Sequence, residues 1–178
     1  MPASSNLDIL LKLNGIDGES TVKGHEKEIA VLSYEQGLNV AVVVSGGGGG
    51  ASAGKTTFSG VKFRKNVDVA SVPLLLACAS GQHITDARFT FRRSNGFEFY
   101  HVTLQDVLVV DIVQRAGTGA QYPLSFEALN TGAPDDGFLD QVVLNFSRIV
   151  WEHREQRPDG SVGATTSGGW DVRTNRKI

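Results

Sequence analysis

The run Gly49-Gly50-Ala51-Ser52-Ala53-Gly54-Lys55-Thr56 satisfies the G-x-x-x-x-G-K-[ST] pattern of a phosphate-cradling loop. It follows an apolar stretch over residues 40–44. A second apolar stretch, Val107-Leu108-Val109-Val110, ends in Asp111, the residue type that holds magnesium in such proteins. The chemistry depends on what comes next. The amides of such a loop grip phosphate because they lie at the N-terminus of a helix, whose dipole favours negative charge. Here Thr57-Phe58-Ser59-Gly60-Val61-Lys62-Phe63-Arg64 alternates in polarity, is rich in β-branched and aromatic residues, and has glycine in what would be the second turn. That is a strand pattern. The sequence therefore predicts extended backbone beyond Thr56 and a flexible, glycine-rich loop over 45–54. A P-loop nucleotide-binding protein stands as an alternative, and it requires a helix directly after Thr56.

The other reactive residue types do not converge. His25-Glu26-Lys27-Glu28 opens like a zinc-protease helix, but Ile29 stands where the second histidine ligand belongs. His25, His83, His101 and His153 have no ligand spacing and read as structural or exposed. Cys78 lies among Leu and Ala with no activating neighbour and reads as a small buried apolar residue. Asp135-Asp136 occupies a Gly/Pro-rich loop, and Ser59 lacks the G-x-S-x-G frame of a nucleophile elbow. Arg92-Arg93 and the tail residues Arg173, Arg176 and Lys177 are small basic clusters of the kind usually solvated. The sequence thus predicts no catalytic residue, no metal ligand, no cofactor and no enzymatic activity.

The elements around these residues explain the lack of a site. The chain has 178 residues, 40% hydrophobic and 20% charged, which is globular composition for a single domain over 1–178. A net charge of −2 gives no reason to expect nucleic acid. No run approaches the ~20 apolar residues of a membrane helix. The N-terminal residues lack the basic and apolar regions of a secretory signal, and the single cysteine fits folding in a reducing cytoplasm. Many of the 21 glycines fall in turn pairs, among them Asn14-Gly15, Asp17-Gly18, Asn95-Gly96 and Asp159-Gly160.

Between the turns lie short β-branched and aromatic runs. Leu7, Ile9, Leu11 and Leu13 alternate with polar partners, and 29–36, 40–44 and 56–65 follow as strands. Residues 87–93 and 97–104 flank Asn95-Gly96 as a hairpin whose second arm stays apolar to Val113. Residues 116–137 read as a long loop. Apolar alternation over 142–151 changes phase near Ser147-Arg148, which predicts a β-bulge. Trp170-Asp171-Val172 is the last strand. One helix is predicted over 71–80, with Ser71 as N-cap, Pro73 in its first turn, Gly81 as its stop, and most faces packed against a sheet. Seven to nine strands with one flanking helix predict a mostly β fold, a closed β-barrel or two-sheet sandwich. From this pattern alone, a monomeric barrel binding a small ligand is a further alternative, needing an apolar interior pocket. The strands over 102–113 and 142–151 also carry more apolar length than a free surface tolerates, as a subunit interface or two-sided burial would explain.

Several pieces together resemble the Hcp family, the haemolysin-coregulated tube proteins of the bacterial type VI secretion system. They are Ile16-Asp17-Gly18-Glu19-Ser20 with His25 and Glu28-Ile29; Phe63-Arg64-Lys65-Asn66-Val67-Asp68 with Ser71, Leu75-Leu76-Ala77-Cys78 and Gly81; Tyr100-His101-Val102-Thr103-Leu104 with Val107-Leu108-Val109; and Leu144-Asn145-Phe146-Ser147, Ile149, Trp151, Asp159-Gly160 and Trp170-Asp171-Val172. The family usually places Pro directly after the serine that starts the helix; here Val72 intervenes. The resemblance implies a small β-barrel with a flanking helix, homohexameric rings that stack into a tube, and export without a cleavable signal by a contracting sheath, together with spike and effector proteins. It implies no cofactor and neither nucleic acid nor membrane as partner. It also places the glycine-rich segment where the family carries a loop touching the next ring, so the expected ring–ring contact residues are Val40, Val42, Val44, Ser45, Gly46 and Gly54.

Overall fold

The computed structural model describes residues 7–43, 52–116 and 138–178. These form twelve strands and one helix: β1 (Leu7–Leu13), β2 (Ile29–Val31), β3 (Ser33–Glu35), β4 (Leu38–Val43), β5 (Ser52–Phe58), β6 (Val61–Asn66), α1 (Ser71–Ser80), β7 (His83–Arg93), β8 (Glu98–Ala116), β9 (Phe138–Asn145), β10 (Arg148–Gln156), β11 (Val162–Asp171) and β12 (Arg176–Lys177). The expected loop over 116–137, apart from Ala116, lies outside the described residues.

The Asn95-Gly96 signal marks the β7–β8 hairpin. Gly96 takes φ 83°, and the Asn95 side-chain carbonyl accepts from Phe97 N at 3.0 Å. β8 then runs for 19 residues and changes partner part-way. Up to Gln105 it pairs with β10; from Leu108 onward it pairs with β9. Asp106 sits at the switch with φ 53°, its carboxylate 2.8 Å from His83 Nδ1 and accepting from Ser147 Oγ at 2.6 Å. The bulge expected at Ser147-Arg148 is instead a strand end. β9 stops at Asn145 and β10 starts at Arg148, so the phase change marks a corner rather than an inserted residue.

Two other expected strands are broken. Residues 29–36 divide at Leu32, because β2 pairs with β1 while β3 pairs with β6. Residues 56–65 divide at Ser59-Gly60 into β5 and β6. A Cβ on Gly60 would lie 2.9 Å from the Leu144 carbonyl, so the close crossing onto β9 requires glycine. The break at Leu32 also settles the architecture. The main sheet runs β12-β11-β10-β8-β7-β1-β2, with β9, β6 and β3 branching from β8. β2, at the end of this path, and β3, at the end of the branch, adjoin at Leu32 without pairing with each other, so among the described residues no closed barrel forms and the arrangement is sandwich-like.

Inward positions fill the interior. Leu11, Ile29, Phe63, Leu74, Phe89, Leu104, Leu144 and Ile149 are all at most 1% exposed. Tyr34 packs edge-on against Phe89 and Phe91. α1 spans the expected residues, and Gly81 stops it in the left-handed conformation at φ 63°. Its cap differs from the expectation. Ala70 is the N-cap, and Ser71 lies inside the first turn because its hydroxyl is engaged elsewhere.

Candidate functional site

β4 and β5 form a separate two-stranded sheet that pairs with nothing else among the described residues. Leu38 faces Phe58, Val40 faces Thr56, Val42 faces Ala53 and Val43 faces Ser52, with an irregularity between Val40 and Val42. The hairpin is fixed at its base. Ser59 Oγ donates to the Gly37 carbonyl and accepts from Gly37 N, both at 3.0 Å. The Phe58 ring lies 6.0 Å from Phe146 and 6.3 Å from Trp151, whose indole donates to Gln36 at 3.1 Å. Beyond this root the hairpin has little cover: Leu38 is 55% and Val40 36% exposed. An isolated hairpin with free edges and exposed apolar side chains is marginal on its own and fitted for pairing.

Of the expected contact residues, Val40 and Gly54 lie on this hairpin. A Cβ on Gly54 would meet the Ala41 carbonyl at 2.8 Å, so glycine permits the strands' close approach. The backbone of Val42 is in β4, while Val44, Ser45 and Gly46 lie outside the described residues. Residues 52–54, expected in the flexible loop, belong to β5 because they pair with β4. The same strand disposes of the phosphate-loop reading. Gly49, Gly50 and Ala51 are outside the described residues, but Ser52 to Thr56 are extended and are followed by β6, not by a helix. Asp111 is on β8, opposite Val143 of β9.

A second apolar surface lies on α1. Val72 and Leu76, one turn apart, are 63% and 64% exposed, and Val69 just before the helix is 58% exposed. The helix carries no charged side chain. Sequence had most of its faces packed; only Ser71, Leu74 and Ala77 are buried, while Pro73, Leu75 and Cys78, the last expected to be buried, are partly so.

What holds this helix in place is a buried ion cluster that sequence reading missed. Lys65 and Asp140 side chains are both 0% exposed and meet at 2.9 Å. The Lys65 ammonium also reaches the Asn66 carbonyl, Ser71 Oγ and Asp68, at 2.7, 2.9 and 2.7 Å. Ser71 Oγ donates to Asp140 at 2.5 Å, and Gln114 donates to its other oxygen at 2.8 Å. Burial opposes ionisation of Asp140, but these hydrogen bonds and the lysine charge outweigh it and hold the carboxyl below its ordinary value. The missed signal was phase: Lys65 falls on the same face of β6 as Val61 and Phe63.

The first quoted signature has a packing role too. Gly18 N donates to the Lys27 carbonyl at 2.7 Å, and a Cβ on Gly18 would stand 2.5 Å from the Glu28 carbonyl. Glu19 accepts from Val69 N at 3.1 Å, which ties this loop to the start of α1. The interior expected of a ligand-binding barrel is filled by side chains. A cleft of about 230 Å³ opens instead beside β3 and β6, lined by residues including Tyr34, Glu35, Phe63 and Gln141.

Residues 10–153 match the family described as type VI secretion system effector, Hcp. The chain belongs to the Hcp family. It is 31% identical over 173 residues to protein hcp1 of Pseudomonas aeruginosa, covering 95% of this chain and 97% of that protein. Among solved structures it is similar to a type six secretion system protein, with TM-score 0.83 and 26% identity over 97% of this chain and 99% of the other. It is also similar to Hcp1 from Salmonella typhimurium, with TM-score 0.76 and 28% identity over the same shares. The chain is thus a type VI secretion tube protein, of a family that is structural rather than enzymatic. Within Hcp, the second quoted signature of this chain supplies Lys65, Asp68 and Ser71 of the helix anchor, and the first supplies the loop joined to it through Glu19.

Proposed function

We propose that this chain is the repeating subunit of a secretion tube, forming hexameric rings that stack, are driven out by the apparatus, and carry spike or effector proteins with them. The 1–178 chain acts in this as one domain, made in the cytoplasm and then exported. The observation that carries the reading is the β4–β5 hairpin: a firmly rooted pair of strands, unpartnered among the described residues, that presents Leu38 and Val40 to solvent. Such an element is a contact surface awaiting another copy, and repeated heterologous contacts close rings or extend filaments. Val40, Val42, Val44, Ser45, Gly46 and Gly54 form the contact between rings in this scheme. The apolar outer face of α1 is a further candidate contact, since its exposed valines and leucine have no charged neighbour on the helix.

The test is mass against concentration. Light scattering on the full chain should show a species of six protomers that grows at higher concentration. A monomer at every concentration would overturn the proposal.

A further inference from the structure

The face of the main sheet turned away from the core carries a second polar cluster. Thr90 on β7, His101 on β8 and Glu152 on β10 stand opposite one another in register. His101 is 2% exposed, and neither ring nitrogen has a hydrogen-bond partner among the described residues. Glu98 lies 3.4 Å from its Nε2 without making a hydrogen bond. The charged groups facing the imidazole are Arg88 from β7, Glu98 from β8, and Glu152 and Arg154 from β10. Arg154 is held by Glu152 at 2.6 Å and reaches Glu98 at 4.0 Å. Glu98 is the shared acceptor of this cluster. It also takes His25 Nε2 at 2.9 Å, while His25 Nδ1 contacts Glu28 at 3.0 Å, so one imidazole fastens segment 25–28 to the start of β8.

We propose that His101 is a proton-operated release for this fastening: neutral and buried it leaves Glu98 to hold His25, and in mild acid proton uptake opens the site and frees segment 25–28. The physical reason is that a protonated His101 adds a third cation beside the Arg88 and Arg154 guanidiniums, on a ring that is itself only 2% exposed. Both facing carboxylates are already engaged, Glu98 by His25 and Glu152 by Arg154. Burial keeps its imidazole below the ordinary histidine value, and Arg88 and Arg154 act in the same direction, against the weaker pull of Glu98 and Glu152. The sign follows. An opened form has the ordinary value near ~6.5 and binds the proton better than the closed form, so acid favours opening. The closed form is secure above that value and is lost progressively below it.

Hydrogen exchange followed by mass spectrometry on the full chain tests this. Corrected for intrinsic rates, the opening constant of segment 18–28 should rise about tenfold from pH 7.5 to 5.5, the limit for one linked proton. Peptides of α1 and β6 should not follow it. His101→Leu should abolish the rise; a rise that survives in this variant, or one shared equally by α1, would overturn the proposal. The imidazole titration of the unaltered protein by NMR provides a check that needs no variant. A His101 midpoint well below ~6.5 supports the release, and one at or above that value contradicts it.

Discussion

β6 has different neighbours at its two ends. At Asn66 it enters a site where every partner is internal: buried Lys65, Ser71 and Asp140 satisfy one another, with the more exposed Asp68 and Gln114 closing the cluster at its rim. At Val61 it leaves a hairpin whose root is packed by Phe58 but whose body leaves Leu38 and Val40 exposed and, among the described residues, both outer edges unpaired. The contrast separates two jobs. The anchor end finishes the fold within one chain, as a buried ion cluster must if desolvated charges are not to be left alone. In the proposed function, the hairpin end leaves its apolar surface and edge strands for another copy.

The sharpest way to break this contrast is at the anchor. Lys65→Met leaves the Asp140 carboxylate buried without its cation, and unfolding in urea should show a loss of about 3–5 kcal/mol. A loss near zero would mean that the cluster does not hold the fold. At the hairpin root, Phe58→Ala removes a half-buried ring from Phe146 and Trp151 and should cost about 1–2 kcal/mol in the same assay, less than the anchor. The smallest effect on stability belongs to the double variant Leu38→Thr with Val40→Thr. Both side chains are exposed, so the dissociated chain should stay within about 0.5 kcal/mol of the parent. A larger loss would assign these residues to the fold rather than to assembly.

Alternation and turn chemistry made much of this fold legible. The inward faces of β1 and β6, the Asn95-Gly96 hairpin and the bounds of α1 all follow from local pattern. The strand after Thr56, which removes the phosphate-loop reading, was visible for the same reason. What local pattern could not show was partner exchange. Leu32 and Asp106 are single positions at which a strand leaves one neighbour for another, and that depends on contacts far away in sequence. Ser71 was read as a cap because serine suits one; its hydroxyl is drawn to Asp140, 69 residues on. At the β4–β5 hairpin, family resemblance marked the segment as an expected contact but did not show its form. It placed 52–54 in a loop, where cross-strand pairing with β4 makes a strand.

The division of labour is tested most directly by electron microscopy of the purified parent chain beside the Leu38→Thr, Val40→Thr variant at matched high concentration. The expected images are annular particles stacked into tubes for the parent, and the same annular particles unstacked for the variant. Tubes of equal length from both proteins, or no annular particles from the parent, would contradict the role given to the hairpin.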